Sequence, residues 1–202
     1  MTSQTKGVLA SLSATCTFGG LYYYATLLAP LNGVEIFGWR IAFTLPFLTV
    51  LLIQAKHWHF VYEIAGRLRK NPALLPLLML SSALLGIQFW IFLWAPINGR
   101  ALQVSLGYML FPLVMVIFGV ILYRERLALY QKIAVFLAVL GVGNLLYRVG
   151  SVSWEALVVC LGYPAYFIVR KKLHTDNLGG LWFDCLLMFP LALYAALGGN
   201  PV

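Results

Sequence analysis

Within the long apolar runs of this sequence a few polar and ionisable side chains stand out. Arg40 and Asp184 sit in mid-run, Gln88, Trp94 and Asn98 lead into Arg100, and Ser105, Tyr108 and Tyr163 follow. Side chains of these types bind a small solute through charge, hydrogen bonds and ring contacts. Covalent catalysis would instead need a nucleophile activated by a neighbouring base. His57, His59 and His174 all fall in polar segments and no Gly-x-Ser-x-Gly occurs, so no catalytic residue is assigned. Cys16, Cys160 and Cys185 lie inside apolar runs without the pair spacing of a zinc or redox motif, and they read as packing residues. His57-Trp-His59 reads as part of a solvated basic loop. No metal and no cofactor is expected.

The elements that must position these residues are set by composition. The chain is 62% hydrophobic and 10% charged, with a mean hydropathy of +0.88, against roughly 45 to 50% and about 25% in soluble domains. Seven runs approach the ~20 residues that cross a ~30 Å hydrocarbon layer: 7–29, 34–54, 73–95, 102–122, 129–146, 153–169 and 178–197. The expected fold is therefore all-α, a polytopic membrane helical bundle whose first partner is the lipid bilayer. The first run exceeds a signal-peptide core and lacks a cleavage box, so it is read as a retained anchor. The interval 55–72, with Lys56, His57, His59, Glu63, Arg67, Arg69 and Lys70, is too polar for lipid and is expected as a surface helix or loop.

Charge distribution then orients the bundle. Lys6, the cations of 55–72, Arg124, Arg126, Lys132 and Arg170 to Lys172 fall on one side of the spans, and only Arg100 and Arg148 fall on the other. Short cytoplasmic loops retain Lys and Arg, which places the N-terminus in the cytoplasm of an inner or plasma membrane. The net charge of +8 thus belongs to topology, and no nucleic acid is expected as a partner.

Lipid offers no water to satisfy polar groups, so intramembrane polar residues face a cavity or each other. Arg40 lies about 9 Å inside its span at ~1.5 Å per residue, and Asp184 is comparably deep from the opposite side. Their depths differ by ~12 Å under a ~30 Å core, so a cavity reached by both is expected rather than a direct ion pair. Snorkelling of Arg40 along its stem is the plainer alternative. Pro96-Ile-Asn-Gly-Arg100 is a tight turn between spans three and four, which run to the charged stop Arg124-Glu125-Arg126. Gly162-Tyr163-Pro164 is either a break that exposes backbone to a solute or a simple kink. Ser11, Thr15 and Gly19 recur every fourth residue, as do Ala134 and Ala138, and these stripes are expected to let helices approach closely. Tyr22, Tyr23 and Tyr24 suit either a headgroup belt or a pore lining.

An ungapped offset of 144 residues places Tyr22 on Tyr166, Trp39 on Phe183, Arg40 on Asp184 and Pro46 on Pro190. Spans one and two would then recur inverted as six and seven. Residues 1–150 would form a first five-helix repeat, and 151–202 the first two helices of a second one. On that reading the chain stops mid-repeat, as a truncated product or one completed by another chain, so a homo-oligomer stays open.

The stretch QFWIFLWAPINGRALQVSLGYMLFPLVMVIFGVILYRERL (88–127) resembles RarD-type proteins of the EamA branch of the drug/metabolite transporter superfamily, and EIFGWR (35–40) resembles the second span of the same family. The resemblance implies about ten helices in two inverted halves, cytoplasmic termini, and movement of small organic solutes such as drugs, amino acids or metabolites, often outward. It also implies a central cavity, to which Arg40, Trp94, Asn98, Arg100, Ser105 and Tyr108 correspond by motif position. The sequence departs from the family pattern at Phe111, at Ile97-Asn98 and at Phe18-Gly19, where the family carries an asparagine, paired asparagines and Trp-Gly. A permease or exporter is the leading expectation, with a transport-incompetent fragment or scaffold as its rival. A seven-helix retinal protein is disfavoured by the inside N-terminus and by a last span without lysine.

Overall fold

The computed structural model describes residues 3–28, 30–124, 127–149 and 153–198. Among them are eight α-helices: α1 (Ser3–Leu27), α2 (Gly33–Gln54), α3 (His59–Lys70), α4 (Leu75–Ile97), α5 (Ala101–Tyr123), α6 (Leu129–Val149), α7 (Trp154–Leu173) and α8 (Leu178–Ala196). Seven of these are long and coincide with the seven expected spans, giving an all-α membrane bundle. The segments 33–54, 72–97, 101–122 and 178–196 are each long and apolar enough to cross a membrane unaided. Serines and threonines dilute α1, while Glu155 and the cations Arg170 to Lys172 dilute α7. In α6 the apolar stretch is Leu129–Asn144. Glu125 and Arg126 of the charged stop, and residues 199–202, lie outside the described residues.

Local chemistry sets the helix ends. Asn32 caps α2 by accepting from the backbone amides of Val34 and Glu35, while the Glu35 carboxylate accepts from the Asn32 amide at 2.9 Å. That reciprocal box satisfies amides a helix start would otherwise leave bare. Ser153 and Asn177 cap α7 and α8 in the same way, accepting from Ala156 and Gly180. Between α4 and α5 the chain turns within Asn98-Gly99-Arg100, where Gly99 takes φ +67°, a backbone region that costs other residues more. The turn expected at Pro96 to Arg100 is thus present, although Pro96 itself remains inside α4.

Helix α4 is central, with α2, α7 and α8 against it and α1 on its flank. Helices α2 and α8 run antiparallel in close contact: Gly38 near the start of α2 meets Ala192 and Ala196 near the end of α8, and Trp182 early in α8 donates to Thr49 late in α2 at 2.8 Å. Gly107 brings α5 onto α7 at Ala156 and Val159. The buried core follows these seams, with Ile41 and Leu52 of α2, Leu85 of α4, and Cys185 and Ala192 of α8. Cys160 and Cys185 are buried and Cys16 is exposed, all three as free thiols.

The polar interval after α2 forms α3, an amphipathic helix whose Val61 and Ile64 are buried. Arg67 of α3 donates to the carbonyls of Leu173 and His174, both at 2.8 Å, which pins α3 across the α7–α8 connection. Two expectations are corrected. Pro164 lies within a continuous α7, so Gly162-Tyr163-Pro164 is no break. The Ser11, Thr15 and Gly19 stripe is exposed along α1 and borders a cavity instead of a helix seam, and nothing lies within 4 Å of where a Gly19 Cβ would be. Ala134 and Ala138 of α6 are likewise exposed.

Candidate functional site

The bundle carries an open cavity of about 830 Å³ bordered by α1, α2, α4, α5, α7 and α8. Four of the sequence-selected residues line it: Arg40, Ser105, Tyr108 and Tyr163. The motif Ser105-Leu106-Gly107-Tyr108 explains how α5 contributes. Leu106 and Gly107 are buried, Gly107 against α7, which leaves Ser105 and Tyr108, three residues apart and hence on one helix face, toward the cavity. Ser105 Oγ donates to the Ala101 carbonyl at 2.8 Å, and Tyr22 Oη of α1 donates to the same oxygen at 3.2 Å. The hydroxyls of Tyr108 and Tyr163 are 3.4 Å apart.

Arg40 projects from α2 into an aromatic setting. Its guanidinium carbon is 4.4 Å from the ring centre of Phe89 and 5.7 Å from that of Phe92, distances at which a cation is attracted to a ring face. Its Nη1 is buried and has no hydrogen-bond partner. Arg40 also borders a second, apolar cavity of about 550 Å³ between α1 and α2. It is the one cation among the described residues lining the larger cavity, and that lining has no carboxylate.

The remaining candidates are placed elsewhere. Asp184 is buried behind the cavity wall, where its carboxylate accepts from Ser81 Oγ at 2.9 Å and Tyr166 Oη at 3.0 Å and lies 3.9 Å from Arg170 Nη1. Tyr166 is both a wall of the cavity and the donor to Asp184. Asp184 thus finds Arg170, not Arg40, and the cavity expected to be reached by both is reached by Arg40 alone. Arg170, counted by sequence among loop cations, is buried in the last turn of α7. It also donates to the carbonyls of Thr175 and Asn177.

Gln88 is 1% exposed and donates through Nε2 to the Val158 carbonyl at 2.9 Å, a bond between α4 and α7 that only a glycine at position 162 leaves room for. Trp94 packs at the far end of α4, close to Gly33 and with ring centres 5.5 Å from Trp90 and 5.8 Å from Trp154. Asn98 is exposed and donates back to the Trp94 carbonyl at 2.8 Å. Arg100 reaches the buried Glu155 at 3.6 Å and so ties the α4–α5 turn to the start of α7. Gln88, Trp94 and Arg100 link helices, Asn98 bonds back to its own helix, and none of the four lines the cavity.

Of the two readings open for Tyr22, headgroup belt or pore lining, the cavity bears out the second, but sequence reasoning passed over the rest of the aromatic lining: Phe18, Phe89, Phe92, Phe111 and Phe167, with Tyr166. For Tyr22 and Tyr166 a signal was present, because the 144-residue offset superposes them. For the phenylalanines none was, since a phenylalanine in a membrane helix faces lipid as readily as a cavity.

The profile of the EamA-like transporter family matches residues 5–147. An "Uncharacterized transporter" of Haemophilus influenzae is 44% identical over 192 residues, covering 95% of this chain and 64% of the relative. "Uncharacterized transporter PM1281" of Pasteurella multocida is 44% identical over 191 residues, covering 95% and 66%. The "Chloramphenicol-sensitive protein RarD" of Pseudomonas aeruginosa is 39% identical over 190 residues, covering 94% and 64%. The chain therefore spans just under two thirds of the length of these curated relatives. No solved structure matches it. A helical membrane bundle carrying the Asn98-Gly99-Arg100 turn and the Ser105 to Tyr108 segment, matched by that profile over most of its length, belongs to the EamA-like transporter family.

Proposed function

We propose that this protein is a membrane permease or exporter of small organic solutes, with the cavity between α1, α2, α4, α5, α7 and α8 as its solute site. The observation that carries this reading is the convergence of Arg40, Ser105, Tyr108 and Tyr163 on one open cavity of about 830 Å³ in an apolar bundle. That volume lies within the roughly 300 to 1,000 Å³ usual for small-molecule sites, which are mostly apolar with a few convergent polar groups. Intramembrane ionisable residues are costly, at ~2.5 to 3.5 kcal/mol on insertion scales, and mark solute paths.

The wider architecture is read as two inverted repeats, residues 1–150 and the helices of 151–202. The antiparallel contact of α2 with α8 supports it, as does the shared position of Tyr22 and Tyr166 on the cavity wall. The N-terminus is assigned to the cytoplasm, on the side of the bundle where the loop cations gather. Reconstituted in liposomes with a panel of labelled amino acids and hydrophobic drugs, the protein should give gradient-dependent flux for at least one solute. Arg40→Ala should remove that flux while insertion and helicity persist. Absence of flux for every solute from fully folded protein would make it a scaffold, and unchanged kinetics in Arg40→Ala would reduce Arg40 to a snorkelling residue.

A further inference from the structure

The electrostatics of the cavity are lopsided. Arg40 is a permanent cation set inside an apolar bundle, and its Nη1 is buried with nothing to donate to. Of the two buried carboxylates among the described residues, Asp184 is held by Arg170, Ser81 and Tyr166, and Glu155, which does not line the cavity, lies 3.6 Å from Arg100. Phe89 and Phe92 hold the guanidinium by their ring faces, but a ring quadrupole is no counter-ion. A buried charge is strongly disfavoured until paired and hydrogen-bonded.

Around this cation the lining is aromatic. Phe111, Tyr163 and Phe167 form a contiguous cluster with neighbouring ring centres 5.5 to 6.4 Å apart, and the hydroxyls of Tyr108 and Tyr163, 3.4 Å apart, face each other, while those of Thr15, Tyr22, Ser105 and Tyr166 in the same lining donate to other acceptors. The space thus offers one positive donor, several neutral hydroxyls and extensive ring surface. Resting on the reading of this cavity as the solute site, we infer that its preferred ligand class is the amphiphilic organic monoanion: an aromatic or similarly flat apolar body bearing a single carboxylate or equivalent anionic group. The anionic group pairs with Arg40 and accepts from a tyrosine hydroxyl, while the ring body stacks in the aromatic cluster. Hydrophobic cations are selected against, because Arg40 repels them and no lining carboxylate receives them. Neutral isosteres retain the stacking and lose the pairing.

The test uses binding, so that its outcome is separate from flux. Protein in lipid nanodiscs is titrated by calorimetry with 3-phenylpropionate, its neutral amide 3-phenylpropanamide, and the cation 3-phenylpropylamine. The carboxylate should bind at least about tenfold more tightly than the amide, a factor typical of one charge-assisted pairing, and the amine more weakly still. Arg40→Gln should bring acid and amide within about twofold of each other while amide affinity is kept, and Arg40→Lys should restore part of the preference. Retained amide binding also certifies that the variant is folded. Equal binding of acid and amide by the unaltered protein, preference for the amine, or a carboxylate preference that survives Arg40→Gln would each overturn the inference. Carboxylate preference without flux would uphold the ligand class and refute transport; flux of neutral or cationic solutes without that preference would do the reverse.

Discussion

Asp184 and Arg170 show how much a single membrane side chain depends on its partners. The pair is buried, 3.9 Å apart, and each partner is engaged further, Asp184 by Ser81 and Tyr166 and Arg170 by two carbonyls of the α7–α8 connection. Removing one member strands the other, which typically costs ~3 to 5 kcal/mol. Asp184→Ala and Arg170→Ala should each lower stability by about that amount in denaturant titrations in detergent. The double variant should fall short of the sum by ~1 to 3 kcal/mol, and strict additivity would show that the two charges do not sense each other. In the sequence Asp184 was recognisable as costly, but its partner was not. Arg170 stands in a run with Lys171 and Lys172 that reads as a solvated loop, and it turns inward only because the α7–α8 connection folds back so that its carbonyls meet the guanidinium. Gly180 makes this geometry feasible, since a Cβ there would collide with the Thr175 carbonyl and with Arg170 itself.

At the level of helices, existence was readable and facing was not. Length and hydropathy located all seven long helices, and the charged interval located α3 as a surface element. Helices such as α4 and α5, however, are apolar nearly all round, so no polar stripe declares which face turns to lipid and which to protein. Glycines carry part of that missing information, but only through contacts made in space. Gly38 and Gly19 both lie within helices, yet a Cβ on Gly38 would lie 2.4 Å from the Ala192 carbonyl and 2.6 Å from the Ala196 amide, whereas one on Gly19 would meet nothing within 4 Å. Backbone atoms cannot step aside as a flexible side chain can. Gly38→Ala should therefore push α2 from α8 and destabilise by ~1 to 3 kcal/mol, in the range of core overpacking. Gly19→Ala should be neutral or stabilising by up to ~1 kcal/mol, from the better helix propensity of alanine. Thermal unfolding of both variants in the same detergent checks the contrast, and a reversed order would mean that the α2–α8 seam is not as close as described.

For the molecule as a whole, the two ends of the bundle differ in charge. Arg67, Arg69, Lys70, Lys171 and Lys172 gather where α3, the end of α7 and the start of α8 meet, while the opposite end presents the Asn98-Gly99-Arg100 turn beside the start of α7. Charge asymmetry of this kind sets membrane orientation because short basic loops stay in the cytoplasm. With Cys16, Cys160 and Cys185 replaced by serine or alanine in the background, an impermeant thiol reagent applied outside intact cells should label Asn98→Cys and spare Arg69→Cys. Both positions are exposed and outside the apolar spans, and Asn98 is preferable to Gly99, whose φ of +67° a cysteine would adopt only with strain. After permeabilisation Arg69→Cys should label as well, which shows that its thiol is reactive. The reverse pattern would invert the bundle, set Arg67 and its neighbours outside, and exchange the sides from which Arg40 and Asp184 are reached.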